Sequence, residues 1–175
     1  VVGTHFPSFQ FLYEGAMLWV TLLLPLPAVF AVSSILQSCK SDALNYAAFL
    51  GFAVLMGFSL APVVIVSPIE LVGTAFGSAA ILFTTMAAYG AYTKRDLSSW
   101  GGFLLVGLIA IIIAGVVNMF VLNSMLGLVI SGITIIVFLG LTAYDTQEIR
   151  ENLYNNAGSE VAEVSGALTL YLDFI

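Results

Sequence analysis

Two aspartates stand in otherwise apolar runs, where ionisable side chains are costly. Asp145 follows the apolar stretch that ends with residues 138–144, and Asp173 lies in the last apolar run, residues 167–175. A carboxylate inside a membrane is expensive and often marks a functional site. Two carboxylates that lie close together in a medium of low dielectric constant share a proton, because both cannot ionise cheaply. The two residues together therefore indicate a proton switch, a cation site, or both.

A simpler interpretation is that each aspartate serves local structure alone. Each carboxylate could face a water-filled mouth, or be capped by the hydroxyl of Thr142 or Thr146. If Asp145 and Asp173 bind a metal ion, calcium is the expected one, because Ca²⁺ prefers oxygen ligands and tolerates several waters. No cofactor is expected beyond this weakly bound or transported calcium.

The composition indicates what kind of protein must position these carboxylates. Of the 175 residues, 61% are hydrophobic and only 8% are charged, whereas soluble domains carry about 25% charged residues. The chain is therefore predicted to be an all-α, polytopic membrane helical bundle that is embedded in the lipid bilayer. Its net charge of −6 argues against nucleic-acid binding, which needs a basic surface.

Six apolar segments are predicted to cross the membrane in whole or in part, because a spanning helix needs about 20 mostly apolar residues. They are residues 16–36, 43–66, 69–92, 101–122 and 125–148, and a sixth segment that starts near Val161 and runs to Ile175. Pro25 and Pro27 predict a kink in the first segment. Residues 152–163 are predicted to form a polar loop. The six segments form one transmembrane domain, residues 1–175, which is expected to be truncated at both ends.

The positive charges predict the orientation. All the lysines and arginines fall in alternate connections between the predicted segments: Lys40, Lys94, Arg95 and Arg150. One side of the membrane therefore holds all of them, and by the positive-inside rule that side is cytoplasmic. Glu14 and Glu70 then lie at the opposite ends of the first and third segments. They are expected to be interfacial charges, although they could also form an acidic vestibule for cations.

The predicted depths of the two aspartates do not match. Asp145 precedes Arg150 by five residues, which is about 7–8 Å along a helix. Asp173 lies about 15–18 Å from the predicted start of the sixth helix. A tilt, or a later start of that helix near Val164, would narrow the gap.

An enzyme is not expected. A serine–histidine pair needs a histidine in the bundle, but the single histidine, His5, lies outside every predicted helix. No H-E-x-x-H zinc motif is present. Tyr144-Asp145 resembles the first half of the signature of intramembrane aspartyl proteases. The second half resembles Gly-x-Gly-Asp in those proteases, whereas here Asp173 follows Leu172.

Three stretches resemble the Bax-inhibitor (TMBIM) family. Residues 140–147, GLTAYDTQ, and residues 166–175, GALTLYLDFI, resemble the family's paired signature. Residues 89–98, YGAYTKRDLS, resemble the loop after its fourth helix. The likeness is closest to the bacterial members and covers the chain from about Leu55 onward. It implies that the six segments are the second to seventh helices of a seven-helix fold.

The resemblance also implies a function, that of a pH-sensitive calcium-leak channel which in eukaryotic relatives accompanies protection against cell death. The family's proton-sensing aspartate pair carries over onto Asp145 and Asp173. The family has an arginine on its second helix that latches onto this pair. The matching region here, residues 32–40, has no arginine, which leaves Lys40 as the candidate latch. The implied location is the bacterial inner membrane, or the ER or Golgi membrane in a eukaryote.

Two other functions fit the same residues. In a proton-coupled transporter, the two aspartates would carry the proton, and a pH gradient would drive the flux of a solute. In a non-conducting membrane regulator, the chain would act on protein partners such as a protease or a death factor. Co-purification with a stable partner, together with no flux in liposomes, would identify the regulator.

Overall fold

The computed structural model describes residues 23–38 and 42–175. That part of the chain contains six helices and no strand: α1 (Pro25–Ser38), α2 (Asp42–Val66), α3 (Ile69–Tyr92), α4 (Ser98–Val121), α5 (Ser124–Asn155) and α6 (Glu160–Phe174). Helices α2 to α5 are each long and apolar enough to cross a membrane, whereas α1 and α6 have only 14 and 15 residues. The predicted all-α membrane fold is confirmed.

Two predicted helix ends are wrong. α5 continues to Asn155 instead of stopping at Glu148, so that Arg150 lies inside the helix, and α4 begins three residues before Gly101. The predicted loop of residues 152–163 is therefore reduced to residues 156–159. The helix continues because residues 148–155 contain neither glycine nor proline, the two residues that most disfavour a helix. The turn that follows contains Gly158 at a φ of 85°, a conformation that glycine adopts readily.

The first predicted segment is described from residue 23 onward. α1 begins at Pro25, so Pro25 and Pro27 occupy its first turn, where a missing N–H removes no hydrogen bond within the helix. The predicted kink depends on residues before 23 and lies outside the described residues. Glu14 and Lys40 lie outside them as well.

The connection between α4 and α5 is a tight turn. Leu122 adopts a left-handed conformation with a φ of 52°, and its N–H donates to the carbonyl of Asn118. Asn123 then caps α5, because its side-chain oxygen accepts from the N–H groups of Met125 and Leu126 at 3.0 and 3.1 Å. Side chains that bond the first free N–H groups of a helix stabilise its start. The predicted break at Asn123-Ser124 is therefore confirmed, and its asparagine has a capping role.

The described chain divides into two compact units. One contains α1, α2, α3 as far as Gly77, and Ser159–Leu168. Within it, α1 packs against α2 and apolar side chains of both helices, including Leu36 and Phe52, are buried. Asn45 of α2 is fully buried, and its amide makes no hydrogen bond with any described residue.

The other unit contains Ser78–Gly158 and Thr169–Ile175. Its main contact is α4 along α5, and the tight turn makes these two helices antiparallel neighbours. Leu104 of α4 packs over Gly140 of α5, where a Cβ would lie 2.7 Å from Leu104 Cδ2. Asp145 and Asp173 both belong to this unit, so the candidate site lies within it.

Candidate functional site: paired carboxylates on α5 and α6

The structure brings Asp145 and Asp173 together. Their carboxyl groups face each other within hydrogen-bond reach, and both side chains are partly buried. Oδ2 of Asp173 is buried and makes no hydrogen bond with any described residue. A protonated carboxyl donates one hydrogen bond, whereas an ionised one only accepts. The pair can therefore hold one proton between its two members.

The length of α5 explains why Asp145 and Asp173 lie at similar distances from the connected ends of their two helices. Asp145 lies ten residues before the helix ends at Asn155, and Asp173 lies thirteen residues after α6 begins at Glu160. At 1.5 Å per residue these separations are about 15 and 20 Å. The mismatch expected from the sequence shrinks to about 5 Å, because the true end of α5 lies beyond Arg150.

An aromatic contact holds the last turn of α6. The ring of Phe174 meets that of Phe83 on α3 edge to face, with centroids 5.5 Å apart and planes at 77°. Such pairs contribute about 1 kcal/mol beyond the area that they bury. Phe174 directly follows Asp173, so this contact restrains the backbone that carries the second carboxylate.

Close backbone packing holds the turn of α5 that carries Asp145. A Cβ placed on Gly90 of α3 would overlap the carbonyl oxygen of Ala143 and lie 2.9 Å from its carbonyl carbon. A Cβ on Gly101 of α4 would lie 2.7 Å from Cζ of Tyr144. Small residues let helices approach closely in membranes. The two residues that precede Asp145 are thus packed against glycines of two different helices.

Gln147 is a site residue that the sequence does not predict. Its side chain is buried, Oε1 accepts from the N–H of Leu97 at 2.8 Å, and Nε2 donates to the carbonyl of Arg95 at 2.9 Å. One turn later, Nη1 of Arg150 donates to the carbonyl of Ala91 at 2.6 Å. The available signal was an uncharged amide two residues after Asp145. Its partners lie about 50 residues away in the chain, so no local pattern could identify them.

Among the described residues, few charged groups act on the aspartate pair. Apart from Asp173, the charged group that acts on Asp145 is Glu148 of α5 itself, and both of these α5 carboxyls lie close enough to act on the neutral hydroxyl of Tyr144. Asp96, in the connection before α4, accepts from the N–H of Ser98 at 2.9 Å and from its hydroxyl. These hydrogen bonds hold the pKa of Asp96 below its usual range.

Of the other predicted site residues, the structure describes Glu70 alone. Glu70 lies exposed in the first turn of α3 and belongs to the other unit. With Glu14 and Lys40 outside the described residues, the acidic vestibule and the lysine latch stay predictions.

The pair alone does not make a complete calcium site. Among the described residues, no three His, Cys, Asp or Glu side chains are grouped so that they could hold a metal. Two carboxylates offer four oxygens, whereas Ca²⁺ takes six to eight oxygen ligands, waters included. Calcium ligation by Asp145 and Asp173 stays a prediction, and the geometry suits proton sharing better.

Comparison with known proteins decides the family. The whole chain, residues 1–175, matches the family described as "Inhibitor of apoptosis-promoting Bax1". The chain belongs to the Bax-inhibitor family. It is 34% identical over 171 residues to a protein named "Inner membrane protein YbhL" from Escherichia coli K12, a match that covers 95% of this chain and 73% of the relative.

Other Bax-inhibitor relatives come from distant bacteria. An uncharacterized protein of Deinococcus radiodurans is 39% identical over 165 residues, which are 93% of this chain and 71% of the relative. An uncharacterized membrane protein of Streptococcus pyogenes is 31% identical over 183 residues, covering 97% and 80%. The predicted family is confirmed, and with the apolar helices these matches identify a multi-pass membrane protein.

Proposed function

We propose that this Bax-inhibitor protein is a passive calcium pathway of the bacterial inner membrane, gated by pH. The observation that carries the proposal is the contact between the carboxyl groups of Asp145 and Asp173, which lie on two different helices. The inner-membrane name of the relative from E. coli supports the location. The proposal involves lipid, calcium and protons, and it assigns no cofactor and no catalytic residue.

In the proposed gate, the interaction between the two carboxyl groups links the last turn of α6 to the turn of α5 that carries Asp145. With one shared proton, the carboxyls attract each other through a charge-assisted hydrogen bond. Loss of that proton leaves two negative charges side by side, and like charges about 4 Å apart repel by about 4 kcal/mol at an effective dielectric constant of about 20. A second proton removes the charge that strengthens the bond. The strength of the interaction that links the two helices therefore depends on pH.

Calcium flux into liposomes, measured over a pH series, tests this function. The purified full chain should pass calcium at a rate that changes with pH. Asp145→Asn and Asp173→Asn should each alter or abolish that change, because the one carboxyl that remains has no second carboxyl with which to share a proton. Glu163→Gln is the matched control, because it neutralises an exposed carboxylate in the first turn of α6. This control should keep the pH dependence of the wild type.

Two results would refute the proposal. One is a pH dependence that is the same in both asparagine variants as in the wild type, while circular dichroism shows that the variants remain helical. The other is a wild-type protein that reconstitutes in folded form and passes no calcium at any pH.

A further inference from the structure

The connection between α3 and α4, residues 93–97, is bonded to the stretch of α5 that carries Asp145. Gln147 makes both bonds, accepting from the N–H of Leu97 and donating to the carbonyl of Arg95. We call these two hydrogen bonds the Gln147 clamp. Gln147 is 5% exposed and Leu97 is 1% exposed, so water does not compete freely for the polar atoms. Each broken bond would leave a buried polar group unsatisfied.

The position of Gln147 on α5 determines what the clamp restrains. Two residues along an α-helix correspond to a rise of about 3 Å and a rotation of about 200°. Gln147 and Asp145 therefore point to nearly opposite sides of α5, one to the connection and the other to Asp173. Arg150, which bonds the carbonyl of Ala91, follows on nearly the same side as Gln147. The two residues together resist rotation of α5 about its axis.

We propose that Gln147 is a positioning residue of the aspartate pair: the Gln147 clamp sets the rotation of α5 and thereby brings the carboxyl of Asp145 to that of Asp173. This inference rests on the proposed function, because it assigns to Gln147 a part in setting the pH response. Among the described residues, Asp173 and Glu148 supply the charges that act on Asp145, and Tyr144 beside them is neutral. Gln147 is uncharged, so its effect is geometric.

Three variants separate this role from general packing. Gln147→Leu keeps a side chain of similar size and removes both hydrogen bonds. Gln147→Glu keeps the acceptor for Leu97, and in acid its protonated carboxyl can also donate to the carbonyl of Arg95. Thr146→Val is the matched control, because its hydroxyl bonds the carbonyl of Thr142 within α5 and does not bond the connection.

The first measurement is trypsin cleavage after Lys94 and Arg95 in the detergent-solubilised full chain. Cleavage of a folded protein requires local opening, and its rate reports how often that opening occurs. Gln147→Leu should speed cleavage at these two sites by roughly tenfold or more, because two hydrogen bonds no longer hold the connection. Thr146→Val should leave the rate unchanged.

The second measurement is the infrared band of the protonated carboxyl in the pair, assigned by its loss in Asp145→Asn. A tenfold change in the population of the paired geometry moves the pH midpoint of this band by about one unit. Gln147→Leu should shift the midpoint by about half a unit or more, whereas Thr146→Val should not. In acid, where trypsin does not cleave, hydrogen exchange of the Leu97 N–H replaces cleavage, and its protection in Gln147→Glu should approach that of the wild type. If Gln147→Leu does not fold, this rescue in Gln147→Glu still tests the clamp.

Unchanged cleavage in Gln147→Leu would overturn the clamp itself. Faster cleavage with an unchanged infrared midpoint would show a clamp that does not position the pair, and would overturn the role of Gln147. The infrared band requires no calcium. A wild type that passes no calcium would therefore refute the proposed function, whereas the infrared comparison would still decide on the role of Gln147.

Discussion

Replacing Gly90 by alanine tests the close packing beneath Asp145. The added Cβ would overlap the carbonyl oxygen of Ala143 and stand 2.9 Å from its carbonyl carbon, where ordinary contact begins at 3.4 Å. The backbones of α3 and α5 must therefore separate by at least about 0.5 Å, and further at the oxygen. No side-chain rotation can relieve the overlap, because both partners of the contact are backbone or Cβ atoms.

The expected loss of stability in Gly90→Ala is the difference between a packing cost and a gain in helix propensity. Overpacking in a closely packed site costs about 1–3 kcal/mol, and a backbone clash belongs near the upper value. Alanine is the better helix former by about 1 kcal/mol, which offsets part of that cost. The net loss is about 2 kcal/mol, which corresponds to an apparent Tm that is roughly 4–8 °C lower for a chain of this size.

Thermal unfolding of the detergent-solubilised protein, at one scan rate for all variants, measures this loss. Gly77→Ala is the matched control, because Gly77 also lies in α3 and a Cβ there would meet no atom of the described residues within 4 Å. Its apparent Tm should equal or exceed that of the wild type. If Gly90→Ala melts together with Gly77→Ala, then α3 and α5 do not meet at Ala143, and the account of how Asp145 is positioned fails.

Two further predictions concern α4 and the connection before it. A Cβ on Gly101 would meet the ring of Tyr144, whereas one on the adjacent Gly102 would meet no described atom within 4 Å. Gly101→Ala, but not Gly102→Ala, should therefore lower the apparent Tm. The pKa of Asp96 lies below its unfolded value because of the hydrogen bonds from Ser98, so this contact stabilises the fold at neutral pH and the stabilisation is lost as pH falls through the folded pKa. Asp96→Ala should therefore lower the apparent Tm at neutral pH and differ little from the wild type in strong acid.

The fold class and the two aspartates could be predicted because both depend on local pattern. Long apolar runs identify membrane helices through their length alone. Asp145 and Asp173 stand out because almost every residue around them is apolar. Their pairing required the family resemblance as well, since the depths calculated from the predicted helix ends did not agree.

The end of α5 and the hydrogen bonds of Gln147 could not be predicted, because neither depends on the apolar runs. The apolar pattern stops at Glu148 and therefore predicts the end of α5 there, yet polar residues such as Glu151 and Asn152 continue the helix. Gln147 was missed because its partners lie in a distant connection. Hydrogen bonds of that kind depend on tertiary packing, which hydrophobic periodicity does not describe.

The length of α5 bears on which side of the membrane would supply protons to the proposed gate. A helix of 32 residues is about 48 Å long, whereas the hydrocarbon core of a bilayer is about 30 Å thick. With Ser124 at the far boundary, Asp145 lies about 30 Å along the membrane normal, even at a tilt of about 20°. The pair then sits where hydrocarbon gives way to water, on the side that holds Lys94, Arg95 and Arg150. In the orientation that the positive-inside rule predicts, that side is the cytoplasm, so the proposed gate would respond to the pH inside the cell.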